Sequence, residues 1–296
     1  MVKTGEKSSI KVIVLTGATS GIGLAAAHAL AAKGAFVIGV GRSPERCQKA
    51  EETVRASCPD ACITYLITDL SSQQQIKDLS VKIKDILEES GLEKVDILIN
   101  NAAMVTNWYT ASENGYEMQF AVNHLAPFLL TYLLFPLLGN SSAARILTVS
   151  SNSHRGAHIH WKDVMLRRRY NTLKAYKQSK LANVLFSTEF NRRFASSIPM
   201  QAFAIDPGLV NTRIGLKGTS GIVHWFWDKR RQKGAAPEEA ARTIVHVALD
   251  QDVEISQGMY WKDCRSVSPS RSSLDEEDAA RLWQLSQRLC GISDWS

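Results

Sequence analysis

Short apolar runs alternate along the chain with stretches of helical length. Lys11–Thr16 (KVIVLT) is an uninterrupted apolar run that ends at glycine, the pattern of a strand buried on both faces. Ala35–Val40, Ile63–Thr68, Val95–Ile99, Arg145–Val149, Gln201–Ile205 and Gly258–Trp261 read the same way. Helical stretches fill the intervals. They are Gly21–Lys33, stopped by Gly34, then Glu45–Ala56, Gln73–Glu89, a long segment around Tyr116–Leu138, Ala175–Phe194, Pro237–Leu249 and Asp275–Cys290. Doubly buried strands separated by helices predict an α/β fold, one doubly wound parallel sheet with helices on both faces. No solenoid-type repeat interrupts this order. Residues 1–10 are polar and expected to be flexible, and residues 1–296 are expected to form one domain.

Composition narrows the picture. The chain has 296 residues, 45% hydrophobic and 22% charged, enough for a large buried core and unlike a disordered chain. Its formal charge is +6. The densest basic runs, Arg167–Arg169 and Lys229–Arg231, sit in no nucleic-acid module, so a nucleic-acid partner is not expected. The cysteines, Cys47, Cys58, Cys62, Cys264 and Cys290, are odd in number and scattered, which predicts reduced thiols in a cytoplasmic compartment. The polar N-terminus lacks the apolar stretch of a signal peptide or anchor, and no later apolar span is long and uninterrupted. Membrane contact, if any, is expected to be peripheral.

Candidate chemistry begins at the first turn. Thr16-Gly17-Ala18-Thr19-Ser20-Gly21-Ile22-Gly23 joins the first strand to the first helix. Glycines permit a tight turn and a close backbone approach to a pyrophosphate, and the helix N-terminus then offers unpaired N–H groups. This is a Rossmann-type arrangement, with T-G-x-x-x-G-x-G spacing. Gly17, Thr19, Ser20, Gly21, Ile22 and Gly23 are therefore candidate cofactor contacts. The second strand ends Val40-Gly41-Arg42-Ser43. An acid there would bind ribose hydroxyls and repel a 2′-phosphate. Arg42 can instead pair with that phosphate, which favours NADP(H) over NAD(H).

Tyr176-Lys177-Gln178-Ser179-Lys180 opens a predicted helix, and residues four apart share a face. Tyrosine ordinarily ionises near pH 10. A neighbouring ammonium favours the phenolate, so Tyr176 could exchange a proton with a substrate oxygen while Lys180 holds the nicotinamide ribose. Ser150-Ser151 follows a strand at the edge of the sheet where α/β ligands bind, and Ser151 could donate to the substrate oxygen. Asn123, within a long helix, reads either as a satisfied core amide or as the holder of a water linking Lys180 to solvent.

Taken together, these segments resemble the short-chain dehydrogenase/reductase family over nearly the whole chain. The resemblance implies a catalytic tetrad Asn123, Ser151, Tyr176 and Lys180. It also implies cofactor contacts at Thr16–Gly23, at Asp69 and Leu70, at Asn101, and at Pro207, Val210 and Thr212. The family's N-N-A-G segment matches Asn100-Asn101-Ala102-Ala103, with alanine replacing the final glycine. Within the family, several segments resemble the retinol dehydrogenase and WW-domain oxidoreductase branch. These are Asn123-His124-Leu125, Ser150–His154, Ser179–Phe186, Gly258–Trp261 and Ala280–Trp283. The tail is also similar to that of light-dependent protochlorophyllide reductases. The N-terminal membrane anchor that many retinol dehydrogenases carry is not expected here, nor is a WW domain.

Substrate choice is expected to lie after Pro207-Gly208. There Ile222–Trp227 precedes Lys229–Arg231, and residues 211–235 read as a lid over an apolar cleft. The same aromatics and cations would also suit a lipid surface. His154, His158 and His160 have suggestive spacing but no carboxylate or thiol companion, so a surface loop is expected and no metal. The reading reached is an NADP(H)-dependent oxidoreductase acting on a small lipophilic aldehyde, ketone or alcohol, retinoid-like or other. Reduction of a carbon–carbon double bond and a non-catalytic NADP(H)-binding scaffold are the alternatives. Homo-oligomerisation is left open.

Overall fold

The structure is a computed structural model that describes residues 10–210, 234–254, 256 and 258–295. Its strands are β1 (Val12–Thr16), β2 (Phe36–Gly41), β3 (Ile63–Ile67), β4 (Ile97–Asn100), β5 (Ala144–Val149), β6 (Met200–Asp206), β7 (Tyr260–Lys262) and β8 (Arg265–Ser266). They form one sheet in the order β3-β2-β1-β4-β5-β6-β7-β8. Every pairing is parallel except the last, β7 with β8. The sequence pattern did not show that antiparallel edge. Asp263 and Cys264 join β7 to β8 with φ of 50° and 56°, the conformation of a two-residue hairpin turn. A hydrogen bond from the Cys264 main-chain N–H to the Thr243 side-chain Oγ1 (3.1 Å) anchors it.

The helices are α1 (Gly21–Ala32), α2 (Pro44–Ser57), α3 (Gln73–Glu89), α4 (Met118–Gly139), α5 (Thr172–Phe194), α6 (Pro237–Leu249) and α7 (Glu276–Cys290). Strand alternation sorts the core into two layers. Val12 and Val14 of β1 face α3, α4, α5 and α7, whereas Ile13 and Leu15 face α1 and α6. Local chemistry sets several starts. Ser43 caps α2 ahead of Pro44, Ser72 accepts from Gln75 N–H at α3, and Asn171 accepts from Lys174 N–H at α5. Gly291 ends α7 in the left-handed conformation at φ 66°.

α4 is apolar on nearly all sides. It is 22 residues long and apolar enough by composition to cross a membrane, yet 72% of its most apolar window is buried against the rest of the chain. That is the signature of a core helix. A π-turn, Ala121–Leu125, interrupts it where Asn123 sits. Over α4 and α5 lies the C-terminal segment. Trp283 and Trp295, 4.6 Å apart between ring centres, pack on Phe128 at 5.0 and 5.1 Å.

Candidate active site

The strand order reverses between β1 and β4, and the carboxyl ends of those two strands diverge there into a crevice. Two side chains staple the crevice floor. Thr16 Oγ1 accepts from the N–H groups of Asn101 (3.0 Å) and Ala102 (3.1 Å). Asn101 Nδ2 donates back to the carbonyls of Thr16 (2.9 Å) and Gly17 (3.3 Å). The turn that results leaves no room for a side chain at positions 17 and 23. Gly17 has φ +68°, and a Cβ there would lie 2.9 Å from Ala102 Cα. A Cβ on Gly23 would lie 2.1 Å from the Gly17 carbonyl oxygen. α1 starts at this point with no acidic residue in its first turn. Its leading N–H groups have no partner within the helix and favour an anion.

From this turn a cleft of about 910 Å³ runs across the sheet edge. Thr19, Ser20, Gly21, Ile22, Arg42, Asp69, Leu70, Asn101, Pro207 and Val210, all candidate cofactor contacts by sequence, line it. Asp69 is partly committed, because its Oδ1 accepts from Ser71 N–H (2.9 Å) and Ser71 Oγ (2.8 Å). Ala103 lines the cleft without positive φ, so the methyl that replaces the family's glycine meets no backbone penalty. Thr212, the expected lid at residues 211–235 up to residue 233, and its aromatic and basic residues lie outside the described residues. Arg46 also lines the cleft, and the sequence reading missed it. It stands on the first turn of α2, and its place just past the end of β2 beside Arg42 could have drawn attention to it.

At the far end the expected reacting groups converge. Ser151, Tyr176 and Lys180 line the same cleft. Ser151 Oγ accepts from Ser153 N–H at 3.2 Å. Lys180 is 2% exposed, and its ammonium donates to the Val149 carbonyl (2.9 Å) while lying 5.7 Å from the centre of the Tyr176 ring. Burial pulls the Lys180 ammonium down to about 8, and the Asp206 carboxylate opposes that fall. Ser150 Oγ donates to the Lys180 carbonyl (2.8 Å) and fixes α5 to the end of β5.

Asn123 is fully buried and does not line the cleft. Its Oδ1 accepts from Met104 N–H (2.8 Å), and its Nδ2 donates to the Met104 carbonyl (3.1 Å) and to Ser179 Oγ (3.1 Å). Ser179 Oγ in turn donates to the Tyr176 carbonyl (2.8 Å). The amide thus clamps the loop after β4 to the turn of α5 that bears Tyr176 and Lys180. His154 corrects an expectation. It is not on a surface loop but fully buried beside Ser151, satisfied by main-chain groups of Ser151 and Ser270. The described residues contain no cluster of three or more His, Cys, Asp or Glu side chains placed to hold a metal ion. The five cysteines are unpaired.

Comparison with known proteins places this geometry. Residues 11–220 match the short chain dehydrogenase family. The chain belongs to that family. Relatives of this dehydrogenase include retinol dehydrogenase 13 of Homo sapiens, 36% identical over 293 residues, covering 95% of this chain and 85% of the relative. Retinol dehydrogenase 12 of Mus musculus is 34% identical over 282 residues, covering 95% and 87%. Among solved structures, an uncharacterized protein from Mycobacterium paratuberculosis superposes with a TM-score of 0.73 at 31% identity, covering 95% of this chain and 93% of that one. A short chain dehydrogenase from Escherichia coli CFT073, solved with NADPH, shares the fold at a TM-score of 0.65 and 22% identity, covering 86% and 96%. The dehydrogenase is accordingly an oxidoreductase of alcohol and carbonyl groups that uses a nicotinamide cofactor. The glycine cradle, the acid-free start of α1 and the volume of the cleft fit such a dinucleotide.

Proposed function

We infer that this dehydrogenase transfers hydride between NADP(H) and a lipophilic aldehyde, ketone or alcohol. One observation carries the reading. A single cleft joins the Gly17–Gly23 turn and two guanidinium-bearing residues, Arg42 and Arg46, to Ser151, Tyr176 and Lys180. The phosphate preference follows from charge. β2 ends without an acid, and guanidinium groups pair with phosphate through strong, directional hydrogen bonds. Apolar walls at Ala103, Met104, Val105 and Leu209 suit a lipophilic substrate, and relatives named retinol dehydrogenases support that choice.

The residues divide the work as follows. Bound nicotinamide supplies or accepts the hydride. The Tyr176 hydroxyl gives its proton to the substrate oxygen in reduction and takes it in oxidation. Lys180 places a positive charge beside the Tyr176 ring and holds the nicotinamide ribose. The Ser151 hydroxyl donates to the oxygen as negative charge grows on it. Asn123 acts at one remove, by holding Ser179 and the loop at Met104.

The test is consumption of NADPH and of NADH with aldehydes and ketones of increasing chain length, retinal included. Turnover should be selective for NADPH and rise with apolar size. Replacing Arg42 and Arg46 together by alanine should weaken NADPH binding at least about tenfold and leave NADH unaffected. Preference for NADH would refute the cofactor assignment, and absence of turnover would refute the reaction.

A further inference from the structure

Ala103, Met104, Val105 and Thr106 line the cleft in succession, and of these Thr106 alone carries a hydroxyl. That hydroxyl is the outer end of a hydrogen-bonded chain that runs inward from the cleft. Thr106 Oγ1 lies 2.7 Å from the Tyr170 hydroxyl. Tyr170 stands directly before Asn171, the cap of α5. The Tyr170 hydroxyl donates to Glu117 Oε1 (3.0 Å) and lies 2.7 Å from Gln119 Nε2, from which it accepts. Glu117 and Gln119 are both buried. The Thr172 hydroxyl donates to the Asn107 carbonyl (2.9 Å), which fastens the Thr106 loop to α5 about one turn ahead of Tyr176.

The direction of each bond in this chain follows from its far end. Each Glu117 oxygen accepts a main-chain N–H, Oε1 from Gln119 (3.0 Å) and Oε2 from Phe120 (2.7 Å). Burial raises the Glu117 carboxyl, and those N–H groups together with the Tyr170 hydroxyl pull it back. A main-chain N–H cannot accept, so the site is satisfied by a carboxylate, which has no hydrogen to donate. Gln119 cannot turn its amide over, because Nε2 also donates to the Thr172 carbonyl (3.2 Å). The Tyr170 hydroxyl therefore directs its one hydrogen at Glu117 and accepts from Gln119. Only a lone pair is left for Thr106, whose hydroxyl must donate. Its hydrogen is thus turned inward, and only oxygen lone pairs remain for the cleft. Among the described residues no other group bonds to that oxygen.

We propose that Thr106 is a specificity residue that accepts a hydrogen bond from the substrate, so that the cleft selects lipophilic carbonyl compounds and alcohols carrying a second, donating group, a hydroxyl or an amide N–H, some carbons from the reacting centre. The proposal rests on the reading of this cleft as the site of hydride transfer. A methoxy group in place of that hydroxyl brings only an acceptor oxygen to the Thr106 lone pairs. A plain hydrocarbon chain leaves them without a partner. A site built to bond a hydroxyl rejects analogues that lack the donor more strongly than an apolar wall sorts them by size. Tyr170 acts one step behind, by holding the Thr106 hydrogen away from the cleft.

The test uses linear ketones of one chain length that bear a hydroxyl or a methoxy group at successive carbons from the carbonyl. Wild type, Thr106→Val, Thr106→Ser and Tyr170→Phe should be compared in two measurements. One is kcat/KM for each compound with NADPH. The other is calorimetric binding of the same compounds to the protein loaded with NADP+, which needs no turnover. At one position along the chain, wild type should favour the hydroxyl compound over the methoxy compound by about tenfold or more. That ratio should fall to near one in Thr106→Val and persist in Thr106→Ser. It should also collapse in Tyr170→Phe, where the Thr106 hydroxyl is free to donate to the methoxy oxygen. A merely structural role for Thr106 would lower both compounds alike and leave the ratio standing. No hydroxyl preference at any position in wild type, or a ratio that survives Thr106→Val, would overturn the proposal, and a ratio untouched in Tyr170→Phe would overturn the fixed direction of the Thr106 hydrogen. If no compound is turned over, the hydride-transfer reading fails, and the binding ratio still decides the role of Thr106.

Discussion

Gly23→Ala offers a sharp perturbation because the obstruction is backbone rather than a movable side chain. The new Cβ would stand 2.1 Å from the Gly17 carbonyl oxygen and 2.6 Å from Asn101 Nδ2, where ordinary contact begins at 3.4 Å. Relief requires the turn and α1 to separate by 3.4 − 2.1 = 1.3 Å along that line. Gly17 cannot retreat freely, because its N–H is bonded to the Val40 carbonyl (2.9 Å) and Asn101 bridges its carbonyl to that of Thr16. Overpacking costs about 1–3 kcal/mol, and loss of the Asn101 bridge adds about 1 kcal/mol. A destabilisation of about 2–4 kcal/mol corresponds to a Tm fall of roughly 5–10 °C for a chain of this size. Displacement of the α1 N-terminus should also weaken NADPH binding at least about tenfold, since aligned N–H groups are what an anion meets there. Gly34→Ala is the control. Its Cβ would meet nothing within 4 Å, but its φ is +80°. It should lose about 1–2 kcal/mol through backbone strain alone and bind NADPH normally. Fluorescence titration with NADPH and thermal unfolding report both quantities. Unchanged NADPH affinity in Gly23→Ala, or an equal loss in Gly34→Ala, would refute the reasoning.

Other expectations follow from buried groups away from the cleft. Burial holds His124 down to about 3 against an ordinary histidine value of about 6.5, so the unfolded chain takes up a proton that the folded chain refuses. Stability should therefore fall as pH drops from 6.5 toward 3, and His124→Asn should flatten that dependence in pH-resolved unfolding. Trp283, packed on Phe128 and Trp295 and stacked on Phe186, should cost about 3–5 kcal/mol on replacement by alanine. NADPH affinity of the fraction that remains folded should be unchanged, as calorimetry and titration can show.

Much of this architecture was legible in the chain because parallel strands buried on both faces read as unbroken apolar runs. The juxtaposition of Tyr176 and Lys180 was legible for a similar reason, since a helix carries positions four apart onto one face. What escaped depends on contacts remote in sequence or on backbone without a residue signature. His154 is polar and lies in a predicted loop, but its burial is set by Tyr260 and Ser270, more than a hundred positions away. The turn at Asp263 and Cys264 adopts positive φ without the glycine that usually signals it. The π-turn Ala121–Leu125 lies in a helix apolar on nearly all sides, where periodicity carries little information. α5 begins at Thr172 rather than Ala175 because Asn171 supplies a cap before the apolar pattern starts. Asn123, read either as a core amide or as the holder of a water, has both side-chain polar atoms bonded to Met104 and Ser179, partners that the sequence pattern does not reveal.

The central claim is that Tyr176 exchanges the proton in a hydride transfer along this cleft. Tyr176→Phe tests it most directly, by following NADPH consumption against the carbonyl panel together with NADPH binding to the same protein. The account predicts that turnover falls by about 10²–10⁴-fold while NADPH affinity stays within about twofold, since the change removes one hydroxyl and leaves the Gly17–Gly23 turn and Arg42 unaltered. Turnover retained by Tyr176→Phe would contradict it.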